Sequence, residues 1–233
     1  MNKPKKSSLV FYYTLEMWQI HVETEIDVMI PVFFCCFVVF GFWLHYKMNH
    51  SENAYAKQNE DFWKREQEAN FIPKKDISGL NYIHVPLEEF PFHDNTTDEK
   101  LQDLQDKVKK DAQKTLLNLT GMSNTDIKYA YGSGNYPVLA EYDQNFTVFI
   151  RDLYAWGKYL YECDFTREAI LLLEFGISCH SDIMGNYTLL GKIYLDEDNL
   201  EAFNQLIALC DEIPGSRKDA VKKQLTTMLR EYT

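Results

Sequence analysis

The strongest constraint on this chain is an uncharged run of apolar residues near its N-terminus, Val28–Leu44, which has the sequence VMIPVFFCCFVVFGFWL. A helix over this run is about 25 Å long, and His45 and Tyr46 extend it towards the thickness of a bilayer core. Trp43 and Tyr46 lie at one edge, as aromatic residues do at a membrane interface. We therefore predict one transmembrane helix over residues 28–46; the alternative is a helix buried in a protein core.

The flanks of this run predict a permanent anchor and its orientation. Acidic residues precede the run and no small-residue cleavage site follows it, which argues against a cleaved signal peptide. Residues 8–27 contain no Lys or Arg, whereas residues 47–66 contain Lys47, Lys57, Lys64 and Arg65. Because basic residues favour the cytoplasmic side, we predict a single-pass protein of the cell membrane with a cytoplasmic C-terminal domain. Residues 1–27 are predicted to lie in the membrane interface or to contact a partner.

After the apolar run the sequence becomes polar and then rich in proline. The net charge of −11 argues against nucleic-acid binding, which needs a clustered basic surface. Residues 47–70 are polar and rich in helix formers, so we predict a helical stalk. Pro73, Pro86 and Pro91 exclude a long helix from residues 71–95, which predicts an extended strap or linker. Five cysteines without paired spacing favour a reducing compartment.

Residues 96–233 predict an α-helical domain. Thr96 and Glu99 have the spacing of a capping box, and apolar residues then recur at spacings of three and four as far as Leu119. Gly121 marks the end of this amphipathic helix, which we predict over residues 98–119. Another helix is predicted over residues 216–232. The predicted fold class is mainly α, with one transmembrane helix, a short extended strap and a helical domain.

Two stretches of this domain are alike. Gly157–Ala169 has the sequence GKYLYECDFTREA, and Gly191–Ala202 has the sequence GKIYLDEDNLEA. Their starting glycines are 34 residues apart (191 − 157), which is the repeat length of tetratricopeptide helical hairpins. Aligned on the Glu-Ala pair, the second stretch is one residue shorter. The alignment therefore predicts a shorter turn in the second copy.

Residues 146–214 resemble the tetratricopeptide family, in which small residues surround a side chain that fills the groove between two helices. The matching positions in the first copy are Gly157, Leu160, Ala169, Leu173 and Gly176. Those in the second copy are Gly191, Tyr194, Ala202 and the closing proline Pro214. An unrelated helical bundle is the alternative. More loosely, the whole layout resembles uncharacterised single-pass membrane proteins of Gram-positive bacteria.

The resemblance implies a binding surface on the first helix of each hairpin. At the matching positions this surface consists of Arg151, Tyr154, Lys158, Tyr161, Thr188 and Lys192. Lys158 and Lys192 occupy the same position in the two copies. One interpretation is a site for an acidic or C-terminal carboxylate ligand. The other is that these lysines only make an acidic domain more soluble.

The sequence contains no pattern that predicts chemistry. Cys179–Asp182 lacks a second close pair of Cys or His residues, so zinc binding is not predicted. Gly132–Gly134 lacks a phosphate-loop lysine and is interpreted as a turn. We therefore predict no enzyme and no cofactor, but a membrane-anchored interaction module that binds a protein or peptide partner. The alternative is a structural subunit of a membrane protein assembly. An enzyme, a less favoured hypothesis, would need a deep polar pocket between the strap and the repeats.

Overall fold

The computed structural model describes residues 33–48 and 59–232, and these residues are mainly α-helical. This confirms the predicted fold class at the level of a mainly α protein. The chain divides into two compact units, Met1–Lys64 and Arg65–Thr233. Within the described residues the only β-type pairing is an isolated antiparallel bridge between Tyr82 and Leu117.

The first unit contains a helix with no buried residue. Residues 33–48 are helical and every one of them is exposed, for example Phe33 at 76% and Phe42 at 73% of its surface. No helix in the described ranges is both long enough and apolar enough to cross a membrane. The predicted span starts at Val28, so its first five residues, like the predicted segment 1–27, lie outside the described residues. Residues 59–70 are also helical, and residues 49–58 of the predicted stalk are not described.

Beyond residue 70, the described part of the second unit contains seven α-helices. They are α1 (Glu99–Asp111), α2 (Asn124–Tyr131), α3 (Tyr136–Glu162), α4 (Thr166–Ser178), α5 (Met184–Asp196), α6 (Leu200–Leu209) and α7 (Lys218–Tyr232). Each helix from α3 to α6 packs against the next, while α1 packs on α3 and α7 packs mainly on α5. The main core lies between these helices, and its largest fully buried side chains are Trp156, Tyr187, Phe149 and Phe203.

The proline-containing residues 71–95 run over the helices in a largely irregular conformation. The backbone amide of Ile83 donates to the carbonyl of Leu116 at 3.0 Å. Further along, Phe92 stacks on Trp156 with ring centroids 4.9 Å apart. Gly132 has a φ of +89°, and a Cβ at this position would overlap the carbonyl of Pro73. A glycine is therefore required where this segment crosses the end of α2.

The helix predicted over residues 98–119 is shorter than expected. Asp98, rather than Thr96, is the N-cap, and its carboxylate accepts hydrogen bonds from the amides of Lys100 and Leu101. The helix ends at Asp111 because the chain then turns and pairs with residues 82 and 83. Leu116, Leu117 and Leu119 are buried from this irregular segment. The spacing of three residues between Leu116 and Leu119 is therefore not that of a helix in the structure.

The two similar stretches fold as two helical hairpins, α3–α4 and α5–α6. The ends of the first helices are 34 residues apart (196 − 162), and so are the starts of the second helices (200 − 166). In the middle of each turn an aspartate has a left-handed backbone, with φ of 64° at Asp164 and 56° at Asp198. The two turns therefore have the same length and the same backbone conformation.

The hydrogen bonds of the two turns also correspond. The amide of Phe165 donates to the carbonyl of Leu160 at 2.9 Å, and the amide of Asn199 donates to that of Tyr194 at 2.8 Å. The residue 34 positions after Ala169 is Phe203, not Ala202. The expected shorter second turn is therefore wrong, and so is the match of Pro214 that was counted from Ala202. Aligning the two Glu-Ala pairs shifts the second copy by one residue from the register that the structure shows.

Candidate functional site

The six residues implied by the resemblance lie on the first helices of the two hairpins, and we call them the repeat face. They are Arg151, Tyr154, Lys158 and Tyr161 on α3, and Thr188 and Lys192 on α5. The three basic side chains are exposed, whereas Tyr154, Tyr161 and Thr188 are half-buried. The repeat face therefore combines solvent-exposed cations with side chains that are partly used in packing.

Tyr161 connects the two hairpins at one end of the repeat face. Its hydroxyl donates to Oδ2 of Asp196 at 2.8 Å, and Nζ of Lys192 lies 5.4 Å from the centroid of its ring. The hydrogen bond to this carboxylate, with partial burial, raises the pKa of the Tyr161 hydroxyl. The structure thus brings together two predicted residues, Tyr161 and Lys192, and adds Asp196.

Tyr154 and Thr188 have mainly structural contacts. The ring of Tyr154 fills the space next to Gly185, where an added Cβ would lie 2.7 Å from its Cζ atom. The hydroxyl of Thr188 donates to the backbone carbonyls of Met184 and Gly185, at 3.1 and 3.3 Å. Tyr154 therefore packs α3 against α5, while the Thr188 hydroxyl bonds to the backbone of its own helix.

Lys158 and Lys192 differ in their surroundings although they occupy equivalent positions. Nζ of Lys158 is 3.8 Å from Oε1 of Glu162, and both side chains are about half exposed. Such a surface pair stabilises the fold by only about 0–1 kcal/mol, so a ligand can replace it at little cost. Lys192 instead lies over the ring of Tyr161. The lysine of the first hairpin is the more available of the two.

A cavity of about 410 Å³ lies beside Tyr161 and is acidic. The residues lining it are Tyr161, Asp164, Thr166, Ile193, Asp196 and Glu197. Three carboxylates therefore face the end of the repeat face that carries Lys192. An anionic ligand would be repelled at this end and would be attracted mainly near Lys158 and Arg151. Among the described residues no group of three or more His, Cys, Asp or Glu side chains has an arrangement that could hold a metal ion.

Two larger cavities flank the C-terminal end of α4. One, of about 600 Å³, lies between residues 81–84, residues 118–120 and the end of α4, and it contains His84 and His180. The other, of about 440 Å³, lies between α4, α5 and α6. Both are lined by Ser178, His180 and Glu212. The sequence did not reveal this region, because its side chains come from segments far apart in the chain.

The stretch Cys179–Asp182 forms the connection between the two hairpins. His180 has a φ of +55°, and Nδ2 of Asn118 donates to the carbonyls of Cys179 and His180, at 2.8 and 3.0 Å. Burial raises the pKa of the Cys179 thiol to about 11, which makes it a poor nucleophile at neutral pH. Oγ of Ser181 accepts a hydrogen bond from the amide of Ile183. The contacts of this stretch are those of a structural connection.

Comparison with known proteins found no similar protein. No protein-family model matches the chain, and no significant match was found among curated proteins or solved structures.

Proposed function

We propose that this protein is a membrane-anchored interaction module, not an enzyme, whose tetratricopeptide-like domain binds a protein or peptide partner through the repeat face. The observation that carries the proposal is the pair of hairpins with identical turns 34 residues apart. Repetition at this period builds adjacent first helices with equivalent outward positions. Here two of these positions hold the exposed Lys158 and Lys192.

The packing order of the helices supports a tetratricopeptide-like array. Each helix from α3 to α6 contacts the next, and α5 also contacts α7 and α3. Two hairpins alone bury too little surface, so an array needs helices that cover its ends. The helices α1, which packs on α3, and α7, which packs on α5, take these roles in our proposal.

The exposed helix of residues 33–48 supports a membrane anchor. Its side chains include Phe33, Phe37 and Phe42, each at least 66% exposed. A patch of this kind on a soluble chain would promote association, whereas lipid would remove it from water. We place the anchor over residues 28–46 in the cell membrane, with the domain on the cytoplasmic side because basic residues follow the span.

The same helix favours a second candidate function, that of a structural subunit in a membrane assembly. Cys35 and Cys36 are exposed together with the phenylalanines, so a partner helix can pack against them. In this case the partner would recognise the apolar helix itself. In the interaction module it would recognise the repeat face.

The experiment that tests the proposal compares partner recovery by variants of the tagged full-length chain in its own cells. After crosslinking, proteins that copurify with the chain are quantified by mass spectrometry. We expect Lys158→Glu combined with Lys192→Glu to lower recovery of the main partner at least tenfold. The matched control is Lys223→Glu, which reverses an exposed charge on α7 and should change nothing.

A second variant separates the two candidate functions. Residues 28–46 are replaced by an unrelated apolar span of the same length. The interaction module predicts unchanged recovery of the partner, while the structural subunit predicts its loss. If the lysine reversals have no effect and the replaced span abolishes recovery, the repeat face is not the binding site.

A further inference from the structure

The two cavities beside the end of α4 form one region, which we call the terminal groove. They share Ser178, His180 and Glu212, so a ligand that lies across this helix end contacts both. Cavities of this size, about 600 and 440 Å³, are in the range of natural ligand sites. The terminal groove therefore has room for several side chains of a bound segment.

The half of the groove between α4 and α6 has an apolar floor. Ile177, Leu190 and Leu206 line it and are almost fully buried. Leu209 also lines it and is 41% exposed. Leu209 therefore offers accessible apolar surface beside this floor. Covering it with another apolar side chain would contribute to binding.

The rim of the groove is negative. Glu174 and Glu212 are exposed on it, and none of the described residues that line it is a Lys or Arg. The C-terminal end of α4 adds the partial negative charge of a helix terminus. The basic groups among the lining residues are the imidazoles of His84 and His180. Nδ1 of His180 lies 3.6 Å from Oε2 of Glu212. A positively charged ligand is therefore favoured over an anionic one.

The terminal groove lies on a different side of α5 from the repeat face. Leu190 and Tyr194 line the groove, whereas Thr188 and Lys192 belong to the repeat face. Two positions along a helix correspond to a rotation of about 200°. Leu190 and Lys192 therefore point in nearly opposite directions, and a ligand in the groove leaves the repeat face free.

We propose that the terminal groove binds a peptide segment of a partner protein in which large apolar residues are flanked by Lys or Arg. The apolar side chains lie on Ile177, Leu190 and Leu206. The cationic groups lie at Glu212 and at Glu174, whose Oε1 already accepts a hydrogen bond from the hydroxyl of Tyr194 at 2.6 Å. This site is independent of the proposed function, because none of its residues belongs to the repeat face.

The test measures binding of a fluorescent peptide to the full-length chain in lipid nanodiscs. The probe is Lys-Leu-Phe-Leu-Lys-amide with a tetramethylrhodamine group on its N-terminus, and fluorescence anisotropy reports its affinity. One comparison peptide has Glu at both ends, and another has three serines in the centre. Nanodiscs without the protein give the background of binding to lipid. We expect the probe to bind at least tenfold more tightly than either comparison peptide.

Variants of the chain then locate the binding. Glu212→Lys should weaken binding of the probe at least tenfold, and Ala202→Trp, which fills the apolar half, should weaken it as much. The matched control is Glu231→Lys, an exposed charge reversal at the end of α7, which should leave the affinity unchanged. Circular dichroism checks that each variant is folded.

Three results would overturn the proposal. The first is equal binding of the Lys-flanked and Glu-flanked peptides. The second is binding to empty nanodiscs that equals binding to the protein. The third is a folded Glu212→Lys variant with the affinity of the unmodified chain.

Discussion

The two hairpins have the same turn but fill the space between their helices differently. In the first, a Cβ on Gly157 would lie 3.4 Å from Cγ of Leu173 and 3.6 Å from the carbonyl oxygen of Ala169. In the second, a Cβ on Gly191 would lie 3.0 Å from the ring of Phe203, the counterpart of Ala169. The first hairpin therefore pairs two small residues, whereas the second places an aromatic ring over the glycine.

The neighbours of the hairpins explain this difference. Cδ2 of Leu225, from α7, would lie 2.9 Å from a Cβ on Gly191, so the second glycine faces both α6 and the last helix. The first hairpin is covered by α1 and by the aromatic residues Phe90 and Phe92. The two hairpins thus share the backbone conformation of the turn. The residues between their helices differ because different elements cover the two hairpins.

The largest expected effect comes from Phe203→Ala, which gives the second hairpin the small residue of the first. Phe203 is completely buried, so we expect a loss of about 3–5 kcal/mol in the free energy of unfolding. Urea denaturation of the full-length chain in detergent, followed by circular dichroism, measures it. A loss below about 1 kcal/mol would mean that the two hairpins pack alike after all.

Substitution of Gly191 and of Gly157 tests the packing difference, with an expected change in the free energy of unfolding of intermediate size. Gly191→Ala should cost about 1–3 kcal/mol because the methyl group meets Phe203 and Leu225 in a full core. Gly157→Ala has ordinary contacts and gains helix propensity, so its effect should stay within about 1 kcal/mol of zero. Thermal unfolding of the two variants side by side is the measurement. Equal costs would contradict the packing difference.

Substitution of the aspartates in the two turns tests their shared backbone conformation, with a smaller expected change in stability. Glycine adopts a positive φ without strain, so Asp164→Gly should stabilise the domain by about 0.5–1 kcal/mol. Asp198→Gly should gain less, because Oδ1 of Asp198 accepts a hydrogen bond from the hydroxyl of Tyr232 at 2.8 Å. Chemical denaturation measures both changes. Destabilisation by Asp164→Gly would show that the turn does not have this conformation.

The smallest predicted effect concerns the contact between the hairpins. Tyr161→Phe removes the hydrogen bond to Asp196 and should cost about 0.5 kcal/mol. Because the folded state raises the pKa of Tyr161, this contribution is complete below the ordinary tyrosine pKa near 10 and falls as the pH rises through the higher folded value. Urea denaturation at pH 8 and at pH 10.5 should therefore show a smaller difference at the higher pH. A difference that grows with pH would contradict the prediction.

Local patterns predicted much of the fold. The mainly α class followed from helical periodicity, and the last helix, predicted over residues 216–232, is Lys218–Tyr232. The 34-residue period identified both hairpins, because Gly157-Lys158 and Gly191-Lys192 lie at equivalent positions of their first helices. The end of α1 was missed, since its termination depends on the pairing of Leu117 with the distant Tyr82. The register at Phe203 was missed because an aromatic residue replaced the expected alanine.

The candidate sites were predictable to a lesser extent. The positions of Lys158 and Lys192 followed from the repeat, but the carboxylate of Asp196 beside Tyr161 did not. The terminal groove has no sequence signal, since His84, Asn118, His180 and Glu212 belong to four separate segments. Burial and charge at such a site arise only when the chain is folded.

The central claim is that one hairpin unit is used twice in the same register, and exchanging the turns tests it most directly. Residues 162–165 are replaced by the sequence Asp-Glu-Asp-Asn of residues 196–199, and a second variant carries the same turn shortened by one residue. The transplant adds an Asn N-cap of about 1 kcal/mol and loses the contact of Phe165 with His93, of similar magnitude. We predict that urea denaturation gives the transplant a stability within about 1 kcal/mol of the unmodified chain, while the shortened turn loses more than about 3 kcal/mol because α4 rotates its buried face. A stable shortened turn together with a destabilised transplant would contradict the account.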